Sequence, residues 1–226
     1  MTPLAELLKH HVHFAPVVLN AKPYRKLDFS IGNEVLREKD LSDIASFTRY
    51  VFNDMLSQGD YYGVGGYNEN RIIYRQLHHF VQPEAQPRCI HLGIDIWTPA
   101  GEPIYAPFPG KVHSFAFNDH EGDYGPTLIL EHQIQELTCY TLYGHLSLDS
   151  LPGLFPGKKF EAGDQIATVG DFPINGNWPP HLHFQIIENM GSYNGDFPGV
   201  CSEGDRSTFL TNCPDPNLIL RIPELG

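Results

Sequence analysis

The sequence predicts a mainly β protein, with an antiparallel β core, an N-terminal helical extension and an irregular C-terminal tail. Three observations carry this. Short β-branched or alternating runs, broken by Gly and Pro, fill the stretch from Arg88 to about Glu188. Helical spacing of apolar residues is confined to the first 60 or so positions. The last 36 residues hold six glycines or prolines before Asp215 and little periodicity. The expected division is 1–85 for the partly helical extension, 86–190 for the core and 191–226 for a tail that wraps it.

In chain order, Thr2-Pro3 starts a helix, because proline at the first helical position gives up an N–H that has no partner there. Leu4, Leu7 and Leu8 mark its apolar face. A second helix is expected from about Leu41 to Leu56, with Ile44, Phe47, Val51 and Met55 at helical spacing and Asp40 or Ser42 as cap. Five strands follow, over Lys111–Phe117, Thr127–Glu131, Thr138–Tyr143, Gln165–Val169 and His183–Ile187. Turn signals such as Phe108-Pro-Gly110 and Phe155-Pro-Gly157 separate them. Leu218, Ile219 and Leu220 are candidate anchors for the tail.

Composition narrows the function classes. Asp and Glu number 27 against 15 Lys and Arg. An acidic chain lacks the positive surface that non-specific binding to nucleic acid or anionic lipid requires. The N-terminus has no basic and apolar leader pattern, and no apolar run is long enough to span a bilayer, so a cytoplasmic setting without membrane partners is expected. Cys89, Cys139, Cys201 and Cys213 form no C-x-x-C pair, which argues against a thiolate metal cluster. A Cys201–Cys213 pairing stays open at this level. The sequence carries no signal for oligomeric state.

Twelve histidines are many for this length. His10, His11, His13, His78, His79, His113, His120 and His132 have no distinctive setting and read as surface or structural. The other four lie among glycines, prolines and strand residues. His91 and Asp95 are four apart, and a flat strand would hold their Cα atoms roughly 13 Å apart, near the limit for gripping one ion. Gly93 at the midpoint can supply the bend that closes the gap. His181-Leu-His183 has period two, so on a strand both imidazoles share a face. His145 follows a strand in Tyr143-Gly-His-Leu-Ser147. The helical H-E-x-x-H pattern is absent. Imidazole nitrogen and carboxylate oxygen are the donors zinc accepts in hydrolytic sites. Spacing alone leaves open which half of the H-x-H pair binds.

These motifs resemble those of the LytM/lysostaphin-type, or M23, zinc metallopeptidases. The resemblance rests on His91-x-x-x-Asp95, Tyr143-Gly-His145-Leu-Ser, His181-x-His183, Thr98-Pro-Ala-Gly-Glu-Pro-Ile-Tyr-Ala-Pro107 and Gly110-Lys-Val112, over roughly residues 88–190. It implies a LytM-like antiparallel core, Zn²⁺ held by His91, Asp95 and His183, and His145 and His181 as catalytic residues beside the metal. Family members often carry a tyrosine shortly upstream of the first zinc histidine. Residues 81–90 have none, which leaves Arg88 and Tyr67 as candidates for stabilising the oxyanion. The flanks Gly65-Gly-Tyr-Asn-Glu-Asn-Arg71, Gly195-Asp-Phe-Pro-Gly199 and Cys213-Pro-Asp-Pro-Asn217 resemble those of the M23-like module found fused to aminotransferases and phosphotransferases.

Three functions follow as expectations. The first is a zinc metalloendopeptidase cutting peptidoglycan-type or other short peptides. The second is a cytosolic zinc hydrolase of a small amide or peptide metabolite. The third is a non-catalytic zinc-binding module. The intact five-residue constellation favours the first two.

Overall fold

A computed structural model describes residues 2–10, 13–19, 21–41, 43–76 and 86–226. Helix α1 (Pro3–His10) begins where expected. Thr2 Oγ1 accepts a bond from the Ala5 amide at 3.2 Å, a side-chain cap on an otherwise orphaned N–H. Leu4 and Leu8 are buried. Strand β1 (Tyr24–Lys26) and helix α2 (Glu34–Arg37) follow, the latter capped by the Asn33 side chain on the Val35 amide.

The second expected helix forms in two parts, α3 (Ile44–Arg49) and a π-helical stretch over Tyr50–Met55. Asp43, not Asp40, caps it, through the Ala45 amide at 3.3 Å. Ser42, the other expected cap, lies outside the described residues, as do His11, His78 and His79. Phe47 and Val51 are buried as the helical spacing requires.

Next come β2 (Tyr62–Gly65), α4 (Ile73–Gln76), β3 (Arg88–His91), β4 (Ile94–Trp97), β5 (Pro103–Tyr105), β6 (Gly110–Asn118), β7 (Gly125–Ile134), β8 (Leu137–Gly144), β9 (Lys159–Phe160), β10 (Gln165–Thr168), β11 (His181–Ile187), β12 (Val200–Ser202), α5 (Arg206–Asn212) and α6 (Asn217–Leu220). Eight strands form one sheet in the order β1-β2-β4-β11-β8-β7-β6-β9, antiparallel except for the β1–β2 pair. Two strands of the N-terminal extension therefore extend the sheet of the core, a participation that their short sequences did not announce. β3 leaves the main sheet and pairs instead with β12 of the tail.

The tail is anchored as its apolar residues suggest. Ile219 on α6 is buried, and Arg221 donates to the carbonyls of Leu8 and Lys9 at the end of α1. A cation there satisfies terminal carbonyls and suits the helix dipole. All four cysteines are buried free thiols, so Cys201 and Cys213 are not paired. No helix among the described residues is long and apolar enough to cross a membrane.

Candidate metal centre and cavity

Register brings the candidate residues together. On adjacent antiparallel strands, Asp95 sits directly opposite His183, and Trp97 opposite His181. Period two puts Asp95 and Trp97 on one face of β4, and His181 and His183 on the same face of β11. His91 ends β3, and the chain breaks at Leu92-Gly93 before β4 begins. Gly93 serves as more than a bend. A Cβ there would stand 2.5 Å from His183 Cε1 and 2.8 Å from the Phe184 carbonyl oxygen, so only glycine lets β3 turn this close to β11.

The three donor atoms converge. His91 Nε2 lies 3.0 Å from His183 Nδ1, and Asp95 Oδ1 lies 3.3 Å and 3.1 Å from these two nitrogens. At Zn–ligand distances of about 2.0–2.1 Å, a tetrahedral set has edges of about 3.3 Å, so the triangle has the dimensions of one zinc face. The far nitrogens settle the tautomers. His91 Nδ1 donates to the Gly66 carbonyl at 3.2 Å, and His183 Nε2 donates to Gln185 Oε1 at 2.9 Å. With those protons outside, two imidazole lone pairs and a carboxylate oxygen face one another in a buried site. Lone pairs repel at that distance unless a cation lies between them, so this donor set fits Zn²⁺.

His181 and His145 are oriented the same way. His181 Nδ1 donates to the Pro179 carbonyl at 2.7 Å, and His145 Nδ1 to the Asn175 carbonyl at 2.8 Å. Their rings lie 4.2 Å apart, and His181 Nε2 is 4.0 Å from Asp95 Oδ1. His145 occupies the left-handed region at φ 60°, costly for a residue with a Cβ. Its backbone is held there by bonds from its N–H to the Tyr124 carbonyl and from the Gly170 N–H to its own carbonyl, both 2.8 Å.

Burial dominates the electrostatics. It lowers His181 from an ordinary 6.5 to about 4 and pushes His145 well below its usual value, with the neighbouring imidazoles adding to the effect on His145. Both are therefore neutral at pH 7. Burial works against ionisation of Asp95, yet the Arg71 guanidinium bonded to it favours the charged form, and its carboxyl sits well below the usual range.

Sequence reading missed Arg71. This buried side chain bonds Asp95 Oδ2 through Nη1, Tyr74 Oη through the same nitrogen at 3.2 Å, and Glu69 through Nε at 2.9 Å. It also missed Gln185, Trp97, Trp178 and two tyrosines, Tyr74 and Tyr124. All of these except Gln185 line a cavity of about 230 Å³ that opens onto Asp95, His145, His181 and His183. Arg88 lines it too, but Tyr67 does not. The Tyr67 hydroxyl is turned away to the Cys213 carbonyl at 2.7 Å, which removes it as a candidate at the site. Single aromatic residues on elements as short as α4 and β4 carry no periodic signal, so nothing in the one-dimensional pattern distinguishes Tyr74 from Tyr67.

Of the histidines read as structural, His132 is the clearest case. It is buried against Phe108 and bonded to the Pro109 carbonyl and Thr141 Oγ1 at 2.9 and 2.7 Å.

Two imidazoles and a carboxylate on neighbouring strands, with two further oriented imidazoles beside them, make a candidate metal centre on an antiparallel β scaffold. More particularly, residues 89–195, just under half of the chain, match peptidase family M23. The uncharacterized lipoprotein YgeR of Escherichia coli (strain K12) is 34% identical over 94 residues, which are 42% of this chain and 33% of that protein. The chain thus spans about a third of the length of this curated relative. Similar solved structures include the catalytic domain of lysostaphin from Staphylococcus simulans, with 20% identity, a TM-score of 0.42 and coverage of 66% of this chain and 92% of that one. A zinc-containing peptidase from Vibrio cholerae has 28% identity, a TM-score of 0.34 and coverage of 46% and 29%.

Proposed function

We propose that this protein is a zinc-dependent peptidase of short peptides or small amides. The observation that carries the choice of small substrates is the cavity. Its walls include Phe29 and Phe47 from the N-terminal extension and Asp196–Val200 from the tail, which close over the face that bears the histidines. Its volume, about 230 Å³, is below the roughly 300–1,000 Å³ typical of sites for drug-sized ligands.

His91, Asp95 and His183 would hold the metal. Bound zinc supplies Lewis acidity and brings the ionisation of water into the neutral range. The chain's own residues do the remaining work. His181 Nε2 is unprotonated, faces the site and accepts the proton of the attacking water, then returns it to the departing amine. His145, 4.2 Å away ring to ring and likewise without a proton on Nε2, offers the attacking water a second acceptor and helps His181 orient it. The rings of Trp97 and Trp178 shield the site from bulk water. In the net reaction the acyl C–N bond breaks, a C–O bond to water forms, and one proton passes to nitrogen.

The test is turnover by the zinc-loaded protein on short peptides and N-acyl amino acids, with purified peptidoglycan in parallel. Cleavage of the small substrates is expected. Release of peptides from peptidoglycan alone would replace this reading with a cell-wall endopeptidase. Zinc binding with no turnover on either would favour a binding module.

A further inference from the structure

Five buried side-chain polar atoms have no hydrogen-bond partner among the described residues. Two of them belong to residues that line the cavity, Arg71 Nη2 and Trp97 Nε1; the others, on Thr48, Asn70 and Thr98, do not. Both atoms are donors that cannot accept. A buried donor left alone costs about as much as a lost hydrogen bond, and such atoms in a binding cavity point to a missing acceptor. Both residues pack against one ring. The Phe29 ring lies 5.1 Å from the Trp97 ring and 5.6 Å from the Arg71 guanidinium.

Their position relative to the chemistry is equally specific. Arg71 bonds Asp95, whose other oxygen faces His91 and His183, while Trp97 stacks on His181 at 4.2 Å and 22°. Three bonds, to Glu69, Tyr74 and Asp95, fix the plane of the guanidinium. A prefixed guanidinium loses little freedom on binding an oxyacid. We infer that Arg71 and Trp97 hold a free carboxylate of the substrate, so that the substrate is a short peptide or N-acyl amino acid cut at the amide next to its C-terminal carboxylate. This rests on the peptidase reading above and narrows it to an exo-acting or N-acyl amino acid hydrolase. Asp123 and Asp196 bring negative charge to the same wall, so preference for a carboxylate is a demanding expectation.

The chain's only two tryptophans, Trp97 and Trp178, both line the cavity, so intrinsic fluorescence reports its occupancy without turnover. The zinc-loaded protein is titrated with N-acetylleucine and with N-acetylleucinamide. The acid is expected to bind at least about tenfold more tightly, the scale of a charged hydrogen bond. Trp97→Phe keeps the stacking ring and removes Nε1; Arg71→Lys keeps the charge and removes Nη2. Each is expected to shrink the preference several-fold at unchanged zinc content, and Trp97→Phe decides the matter if Arg71→Lys loses zinc. Equal binding of acid and amide overturns the inference, as does no response to either probe. A preference that survives both substitutions overturns it too, by placing the carboxylate elsewhere. Equal hydrolysis of dipeptides with free and amidated C-termini sinks the anchor and leaves the peptidase reading standing. Carboxylate binding that responds to the variants, with no peptide cleaved, does the reverse.

Discussion

His91 Nε2 and His183 Nδ1 face each other across 3.0 Å, each with its proton committed to a carbonyl oxygen on the far side of the ring. The fold builds this opposition into its interior, and a divalent cation relieves it. Zinc is therefore expected to stabilise the folded chain. At a free concentration a hundred times its dissociation constant the gain is about 2.7 kcal/mol. For a domain of this size that raises Tm by roughly 5–10 °C. Thermal unfolding with and without chelator measures it; identical Tm values would rule out zinc as the occupant.

Gln185 holds the far nitrogen of His183 while its own amide donates to the Pro198 carbonyl at 3.2 Å and to Cys213 Sγ at 3.3 Å. Partners of this kind set ligand orientation, and their loss costs roughly 10–100-fold in metal affinity. Gln185→Leu is expected to fall in that range in a competition titration against a zinc chelator. Unchanged affinity would mean that strand packing alone orients His183.

His181→Gln removes the proton acceptor without touching the three metal ligands. Zinc content should stay near that of the parent, and kcat should drop by about 10²–10⁴-fold, the usual contribution of a general acid–base. A variant that keeps both zinc and full turnover would move the base to His145.

Gly93→Ala inserts a methyl group 2.5 Å from His183 Cε1. Overpacking of this sort typically costs about 1–3 kcal/mol. The strain falls on a ligand, so zinc affinity should decline together with stability, readable from one denaturation series with and without zinc.

His132 gives a pH dependence separate from the site. Burial lowers it from an ordinary 6.5 to about 4, so the folded state favours the neutral ring. Stability from this group is complete above pH 6.5 and is lost as pH falls towards about 4, amounting to roughly 3 kcal/mol. His132→Gln is expected to flatten the stability profile over that window relative to the parent. Parallel profiles would count against it.

The fold was legible where local chemistry and tertiary structure agree. The apolar, β-branched runs around Val112, Leu128 and Leu142 became strands of the main sheet, because each buries its apolar residues and pairs on both sides. The bend at Gly93 and the shared face of His181 and His183 also follow from backbone geometry alone. What stayed hidden depends on contacts between distant segments. Arg71 enters the sequence only as the end of a flank motif, and its partner shows when β2 and β4 pair and bring it against Asp95. The short strands β1 and β2 are recognisable only through their partners. Tyr74 and Trp97 gain meaning from what they surround, and periodicity carries no record of that.

The cavity has a further consequence. Its floor comes from the sheet, while part of its roof comes from residues near 29, 47 and 196–200, outside or at the edge of the matched 89–195 stretch. The metal ligands and that part of the roof thus have separate addresses in the gene. Drift in the flanking segments can change what is admitted while the ligand triad is inherited intact. Relatives that share every metal ligand can for that reason differ in diet, and it is the roof that has to be compared to tell them apart.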